Sequence, residues 1–451
     1  MFPPRIKQAR NRNLIPPKPR IAPEAVALPG YVPDLPEVRA DFAIYHDIMT
    51  HLDQQVGQLL NELEALGLAD ETIVFYFSDH GGPTPRGKRY LQDSGVRVPL
   101  IVHAPAKYQH LLPFVPGSST NELVSFVDFA PTLLSVVGVT KPPQMQGRSF
   151  LGDYRTPALE DDCVFLYADR FDEIPGMRRA ITNGRYKYIR CFTPFMPGAP
   201  YSNYPLQMES WAAWKEAAVN GTIDGPELEL WQKPQPIEYL YDLDADPDET
   251  CNLAASAEHV ETLSLMREKL KAIMVEYHDL GAIPEGMLHS QPSSDEPSSS
   301  AFQHEQIEDY IEAAFIATSN RESLAKWVDD RLANSEPVLR YWAFVAMRAF
   351  PELNSDKRVG ELGVDNEHAT NAIMIASLNM ERKQADLARA QFTELLDSAM
   401  DKASLQLLVN TITDLGMEDI VSDVWLKSVR ESPNSDEYIK RFAERLFRSR
   451  K

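Results

Sequence analysis

Apolar side chains recur at spacings of three and four between residues 38 and 66: Val38, Phe42, Tyr45, Met49, Leu52, Val56, Leu59, Leu63 and Leu66. That spacing predicts one long helix burying a single stripe, entered through an Asp34-x-x-Glu37 capping box and stopped at Gly67. The period then changes. Thr72-Ile73-Val74-Phe75-Tyr76-Phe77 is an unbroken β-branched and aromatic run, which predicts a buried parallel strand. Ser78-Asp79-His80-Gly81-Gly82 follows directly, so this strand would deliver a carboxylate and an imidazole to the edge of a sheet, where ligands bind in α/β domains. Residues 98–102 predict a second buried strand with Pro99 near its start. Residues 127–137 predict a helix entered through Pro131 and closed by Gly138. Helix, strand, loop, strand, helix is α/β order.

After residue 163 the pattern shortens. Residues 163–167, 186–190 and 238–243 predict strands, with Asn183-Gly184 as the hairpin turn before the second of them. A helix over about 258–278 completes a small α+β subdomain. Between these strands, 193–236 is rich in Pro, Tyr and Trp and predicts a long surface insertion, with Trp211 and Trp214 as packing residues. Residues 1–33 hold eight prolines with a basic bias and predict an extended arm. Residues 290–301 are Ser/Pro-rich and predict a linker. From 302 to 451 the chain is helical throughout. The run 338–347 is echoed at 369–378 and near 405–415, a period of roughly 31–35 residues that suggests helix-pair repeats of the HEAT kind. The expected organisation is thus an arm (1–33), an α/β portion (34–160), an α+β subdomain (161–289), a linker (290–301) and helical repeats (302–451).

Composition narrows the partners. The 451 residues are 43% hydrophobic and 25% charged, ordinary for a globular protein, with a net charge of −21 that argues against nucleic acid. No window approaches the ~18 uninterrupted apolar residues of a membrane span. Met1 is followed by Phe2-Pro3-Pro4-Arg5, with no apolar segment of the signal-peptide kind. Cys163, Cys191 and Cys251 fit neither a disulfide framework nor a metal spacing.

Ser78-Asp79-His80-Gly81-Gly82, taken with the segment from Lys88 to Leu100, resembles the sulfatase family. Four further blocks agree in order: Ala40-Asp41 with Leu52-Asp53-x-x-Val56-Gly57; Val127-Asp128-x-Ala130-Pro131-Thr132 with Gly147-Arg148-Ser149; Lys187-Tyr188-Ile189-Arg190; and Leu240-Tyr241-Asp242-Leu243 with Asp246-Pro247-x-Glu249-x-x-Asn252-Leu253. The resemblance covers about 34–280. It implies part of an alkaline-phosphatase-like α/β domain and hydrolysis of sulfate esters, in a sulfated small molecule or glycan, around a divalent cation, usually calcium. Transferred residue by residue, Asp79 and His80 are metal ligands and Lys88 contacts the sulfate. A cation and a lysine suit that task, because both neutralise charge on the transferring oxygens.

One part of the pattern is missing. The family's nucleophile is a formylglycine made from the cysteine of C-x-P-x-R or C-x-A-x-R, upstream of the Asp-His strand. None of the three cysteines here stands in such a motif or position. The expectation is therefore the downstream part of a sulfatase domain, incomplete in this sequence, fused to helical repeats. Two alternatives stand beside it: a catalytically silent sulfatase-like binding protein, and an interaction module in which residues 302–451 hold a protein partner. The family is commonly exported, and the sequence itself assigns no compartment.

Overall fold

A computed structural model describes residues 3–159, 162–173, 175–288, 304–319, 322–355, 358, 368–432 and 435–450. The expected linker at 290–301 lies outside them. The long apolar stripe folds as the helix Pro36–Ala65, with proline in its first turn, where a missing N–H costs nothing. Its cap differs from expectation. Leu35 is the N-cap and no side chain caps the helix. Asp34 is held instead by the Arg39 guanidinium, with 2.7 Å between Oδ2 and one terminal nitrogen. A charge-assisted pair competes with the backbone for one carboxylate and is the stronger bond. Only the first third of this helix is buried, at Val38, Asp41, Phe42, Ala43 and Asp47.

The arm and the insertion both depart from the sequence expectation. Pro3–Asn11 is helical, and Val26, Tyr31 and Val32 are buried. They share a core with Val38, Phe42, Trp211 and Trp214. The helix Glu209–Val219, inside the presumed surface insertion, packs along Pro36–Ala65. Three tryptophans drive this, since Trp211, Trp214 and Trp231 stand in mutual ring contact at 5.7–6.1 Å and each large ring buries well over ~100 Å².

Strand β1 (Val74–Phe77) and strand β2 (Leu100–His103) form a two-stranded antiparallel sheet, with Phe77 opposite Leu100 and Val74 opposite His103. The expected buried parallel strand is overturned. The connection between them holds one helical turn, Asp93–Val96, and doubles back rather than crossing over, so the strands run in opposite directions. Phe77 is 44% exposed and Ile101 60%.

The second sheet contrasts with it. Strands β3 (Val164–Ala168), β4 (Arg178–Thr182), β5 (Tyr186–Cys191) and β6 (Glu238–Asp242) lie in that order, all antiparallel. The predicted Asn183-Gly184 hairpin joins β4 to β5, with Gly184 at φ +94°. Alternation gives this sheet two buried faces. Ile181, Tyr188 and Leu240 face one core; Ala180, Ile189, Tyr239 and Tyr241 face another that includes Leu91.

The first of those cores continues into the helical region. It runs through the helices Val260–Glu276 and His304–Ala317 to Pro337–Ala349 and Ala369–Glu381. Polar bonds reinforce it: the buried Arg190 guanidinium donates to the Phe315 and Thr318 carbonyls at 3.0 and 2.9 Å. Pro337–Ala349, Ala369–Glu381, Lys402–Asp414 and Glu437–Ser449 pack one on the next and begin 32 to 35 residues apart. The run at 338–347 and its two echoes fall on the first three of these helices. No helix among the described residues is long and apolar enough to cross a membrane.

Candidate active site

β1 ends at Phe77, and the chain turns at once. Ser78 Oγ donates to the His80 carbonyl at 2.8 Å, and the Gly81 N–H bonds the Gly95 carbonyl at 2.8 Å. Gly81 lies so close to that segment that a β-carbon would stand 1.9 Å from the Ser94 carbonyl oxygen. Only glycine fits. The loop then closes on itself, with the Lys88 N–H on the Gly82 carbonyl at 2.9 Å and Ser94 Oγ on the Arg86 carbonyl at 2.6 Å.

Asp79 and His80 are brought together. Asp79 is 82% exposed at its side chain, and its Oδ2 stands 3.4 Å from His80 Nε2. His80 Nδ1 lies 2.8 Å from the Gly81 carbonyl. A carbonyl only accepts, so Nδ1 carries a proton, and in the neutral ring Nε2 is left with its lone pair. A lone pair and a carboxylate oxygen facing each other at that distance call for a cation or a second proton between them. Two ligands at right angles, each ~2.4 Å from one ion, are about 3.4 Å apart. The pair therefore fits one edge of a hard-cation shell. It does not fit the whole: calcium takes ~6–8 ligands, and the described residues contain no group of three His, Cys, Asp or Glu side chains that could hold a metal.

Lys88 is placed on the same loop. Its backbone sits on Gly82, two residues past His80, and its ammonium lies 5.6 Å from the centre of the Phe171 ring. Lys88 lines a small depression with Pro83, Thr84, Arg89, Tyr204 and Trp211. The buried Tyr90 phenol beside it has its pKa pushed up to about 12, chiefly by burial.

The loop is fixed from below. Lys187 on β5 is fully buried, and its ammonium pairs with Asp93 and, at 3.0 Å, with Glu249. The other Glu249 oxygen accepts from the Asp93 N–H at 2.5 Å. Burial raises the Glu249 pKa, against the pull of the Lys187 charge. Arg86 stacks 3.5 Å from the Tyr31 ring centre and donates to the Glu249 carbonyl at 3.0 Å. Behind this loop, Arg97 pairs loosely with Asp93 at 3.4 Å while staying exposed. Asp128 stands at the N-cap position of the helix Phe129–Val136 but makes no side-chain bond to it; its carboxylate accepts instead from the Ser125 and Arg148 N–H groups at 2.9 and 2.8 Å, completing the capping box of the preceding turn Phe126–Asp128.

One connection escaped the sequence reading. Arg89, next to Lys88, takes the positive φ of +89°, pairs with Asp172, and donates to Ser202 Oγ at 3.1 Å. Asp172 also accepts from the Tyr438 hydroxyl at 2.8 Å, across 266 residues. The last helix therefore reaches the side chain next to Lys88. No local pattern encodes that contact. The cysteines, by contrast, lie elsewhere: Cys163 just before β3, Cys191 at the end of β5 and Cys251 after β6.

Comparison with known proteins covers the segment that bears this loop. The family model described as Sulfatase matches residues 15–139, and that of N-sulphoglucosamine sulphohydrolase, C-terminal, matches 86–196. An ulvan-active sulfatase of Formosa agariphila is 33% identical over 278 residues, 60% of this chain and 45% of its own length. N-sulphoglucosamine sulphohydrolase of Homo sapiens is 27% identical over 59% of this chain and 54% of its own. Arylsulfatase K of Mus musculus is 28% identical over 53% and 36%. The chain spans about half the length, or less, of these relatives. Among solved structures, a phosphonate monoester hydrolase of Agrobacterium radiobacter aligns over 54% of this chain and 42% of its own, at 21% identity and a TM-score of 0.38. The segment that carries Asp79, His80 and Lys88 is thus similar to the sulfatase family over part of this chain, and a helical region follows it.

Proposed function

We propose that this chain carries one side of the active site of a sulfuric ester hydrolase. Asp79 and His80 supply two ligands to a divalent cation of the calcium type, and Lys88 contacts the sulfate. The observation that carries this reading is the pairing of Asp79 Oδ2 and His80 Nε2 at 3.4 Å on an exposed strand end, with Lys88 on the same closed loop. When bound, the cation would supply positive charge to the sulfuryl oxygens. Lys88 does the same from the protein, holding an ammonium where charge develops on the transferring group. His80 keeps its Nε2 lone pair outward through the bond from Nδ1 to the Gly81 carbonyl, which fixes its tautomer.

The names of the relatives, ulvan-active sulfatase and N-sulphoglucosamine sulphohydrolase, support a sulfated glycan as the substrate class. The formylglycine of such an enzyme, and the remaining cation ligands, would come from the portion of the relatives that this sequence does not match.

The test uses the protein at its natural length, assayed on an aryl sulfate and on sulfated disaccharides. Lys88→Ala should lower kcat by roughly a hundredfold or more, as loss of one preorganised charge does. Asp79→Asn should raise the calcium concentration needed for half-maximal turnover. Wild-type turnover in both variants would overturn the assignment.

A further inference from the structure

A cavity lies away from the Asp79 loop, where the 193–236 stretch meets the helical stack. It measures about 510 Å³, within the ~300–1,000 Å³ of small-ligand pockets. One wall is apolar and aromatic, with Pro197, Pro200, Tyr201, Val219, Leu228 and Trp231. The other is polar, with Asn410 and Thr413 from the helix Lys402–Asp414, and Arg445 from the helix Glu437–Ser449.

The charges around it do not balance. Asp414 is paired with Lys233 at 2.7 Å, and Glu418 with Arg445 at 3.4 Å. Lys215, on the helix Glu209–Val219, is the cation left over. It is half-buried, and among the described residues no carboxylate lies within ion-pair distance of it. Its ammonium stands 5.8 Å from the centre of the Tyr201 ring, and the Arg445 guanidinium shares that ring at 4.2 Å. Two cations thus converge on one aromatic ring. Burial, and then the Arg445 charge, push the Lys215 pKa down, and the Glu418 charge pulls it back in part. An anion beside the ammonium would act in the same sense as Glu418. The chain as a whole carries −21, so an excess cation in a concave site is not a product of bulk composition.

We infer that this cleft is a second binding site, distinct from the Asp79 loop, for a sugar unit or short oligosaccharide bearing a carboxylate or sulfate. Lys215 receives the anionic group, with Arg445, held by Glu418 and Thr413, beside it. Tyr201 and Trp231 offer ring faces to the sugar body, and Asn410 and Thr413 offer hydrogen bonds to hydroxyls. The site joins the insertion to the helical stack, and it does not depend on the sulfatase reading of Asp79, His80 and Lys88.

Calorimetric titration of the full chain in the presence of a chelator tests it without any turnover. The probes are a sulfated disaccharide, an unsulfated uronate-containing disaccharide, a neutral disaccharide and inorganic sulfate. The two charged sugars distinguish sulfate from carboxylate as the anion, and binding of either is the expected result. Lys215→Gln should weaken it roughly ten- to a hundredfold, the share of one charge-assisted hydrogen bond, while Lys215→Arg retains it. Ala218→Trp fills the cleft without removing a charge and should abolish binding with the melting temperature kept. Asp79→Asn should bind as the wild type does. Equal binding of the neutral disaccharide, of inorganic sulfate alone, or by Lys215→Gln would overturn the proposal.

Discussion

The two sheets of this molecule differ in composition and in surroundings, and in opposite senses. β1 and β2 are almost wholly apolar, yet Phe77 and Ile101 are 44% and 60% exposed, whereas β4 to β6 carry charged residues among their apolar ones and Ile181, Tyr188 and Leu240 are fully buried. The difference is cover. The four-stranded sheet has helices over one face and the Leu91 cluster on the other. β1 and β2 have Phe126 and Phe129 in ring contact with Phe77, and beyond these Val127, Leu133 and Val137 stand open. A hydrophobic run states that a strand needs a partner face. It does not state which part of which chain supplies it.

Three experiments sharpen or break this contrast, and the largest effect belongs to the buried ion pair beneath the site loop. Lys187→Met leaves Glu249 and Asp93 without their cation. It should destabilise the protein by about 3–5 kcal/mol in denaturant unfolding, the usual result of stranding one half of a buried pair. A near-neutral result would mean that the loop is anchored by other contacts.

A paired truncation comes next. Leu240→Ala, in the covered sheet, should cost about 2–5 kcal/mol, and Ile101→Ala, in the open one, about 0.5 kcal/mol or less. If Ile101→Ala proves as costly as Leu240→Ala, the open face is covered in solution and the contrast fails.

The smallest effect is a pH dependence specific to the covered sheet. Burial alone would raise the Glu238 pKa, but hydrogen bonds from Arg267 and the Arg190 charge hold it below its ordinary value. Stabilisation by a carboxylate lowered in this way is complete above its unfolded pKa of about 4.5 and is lost as pH falls through the lower folded value. Glu238→Gln should therefore be less stable than the wild type at pH 7, with the gap closing below about pH 4.5. A gap that stays constant down to pH 3 would remove Glu238 from the account.

The sequence was most legible where structure is local. The helix Pro36–Ala65, five of the six strands and the Asn183-Gly184 hairpin follow from period and turn chemistry, and Asp79 and His80 meet because they are consecutive. Competition and distance hid the rest. The Asp34 cap was lost to Arg39, a competitor five residues away that a capping rule does not weigh. The 193–236 stretch lacks a clear period, so its tryptophans gave no sign that they complete a core with Val38 and Phe42. Strand direction was misjudged because apolar content does not encode it. The cleft at Lys215 and Arg445 joins residues more than two hundred positions apart, beyond any motif.

The bond from Tyr438 to Asp172, and from Asp172 to Arg89, sets an order of events during synthesis. The loop that bears Lys88 is made well before the helix Glu437–Ser449, and contacts of such long sequence separation form late. A nascent chain therefore holds this loop without that brace until the helix has emerged. The bond that sets the side chain beside Lys88 also reports that the helical region has arrived.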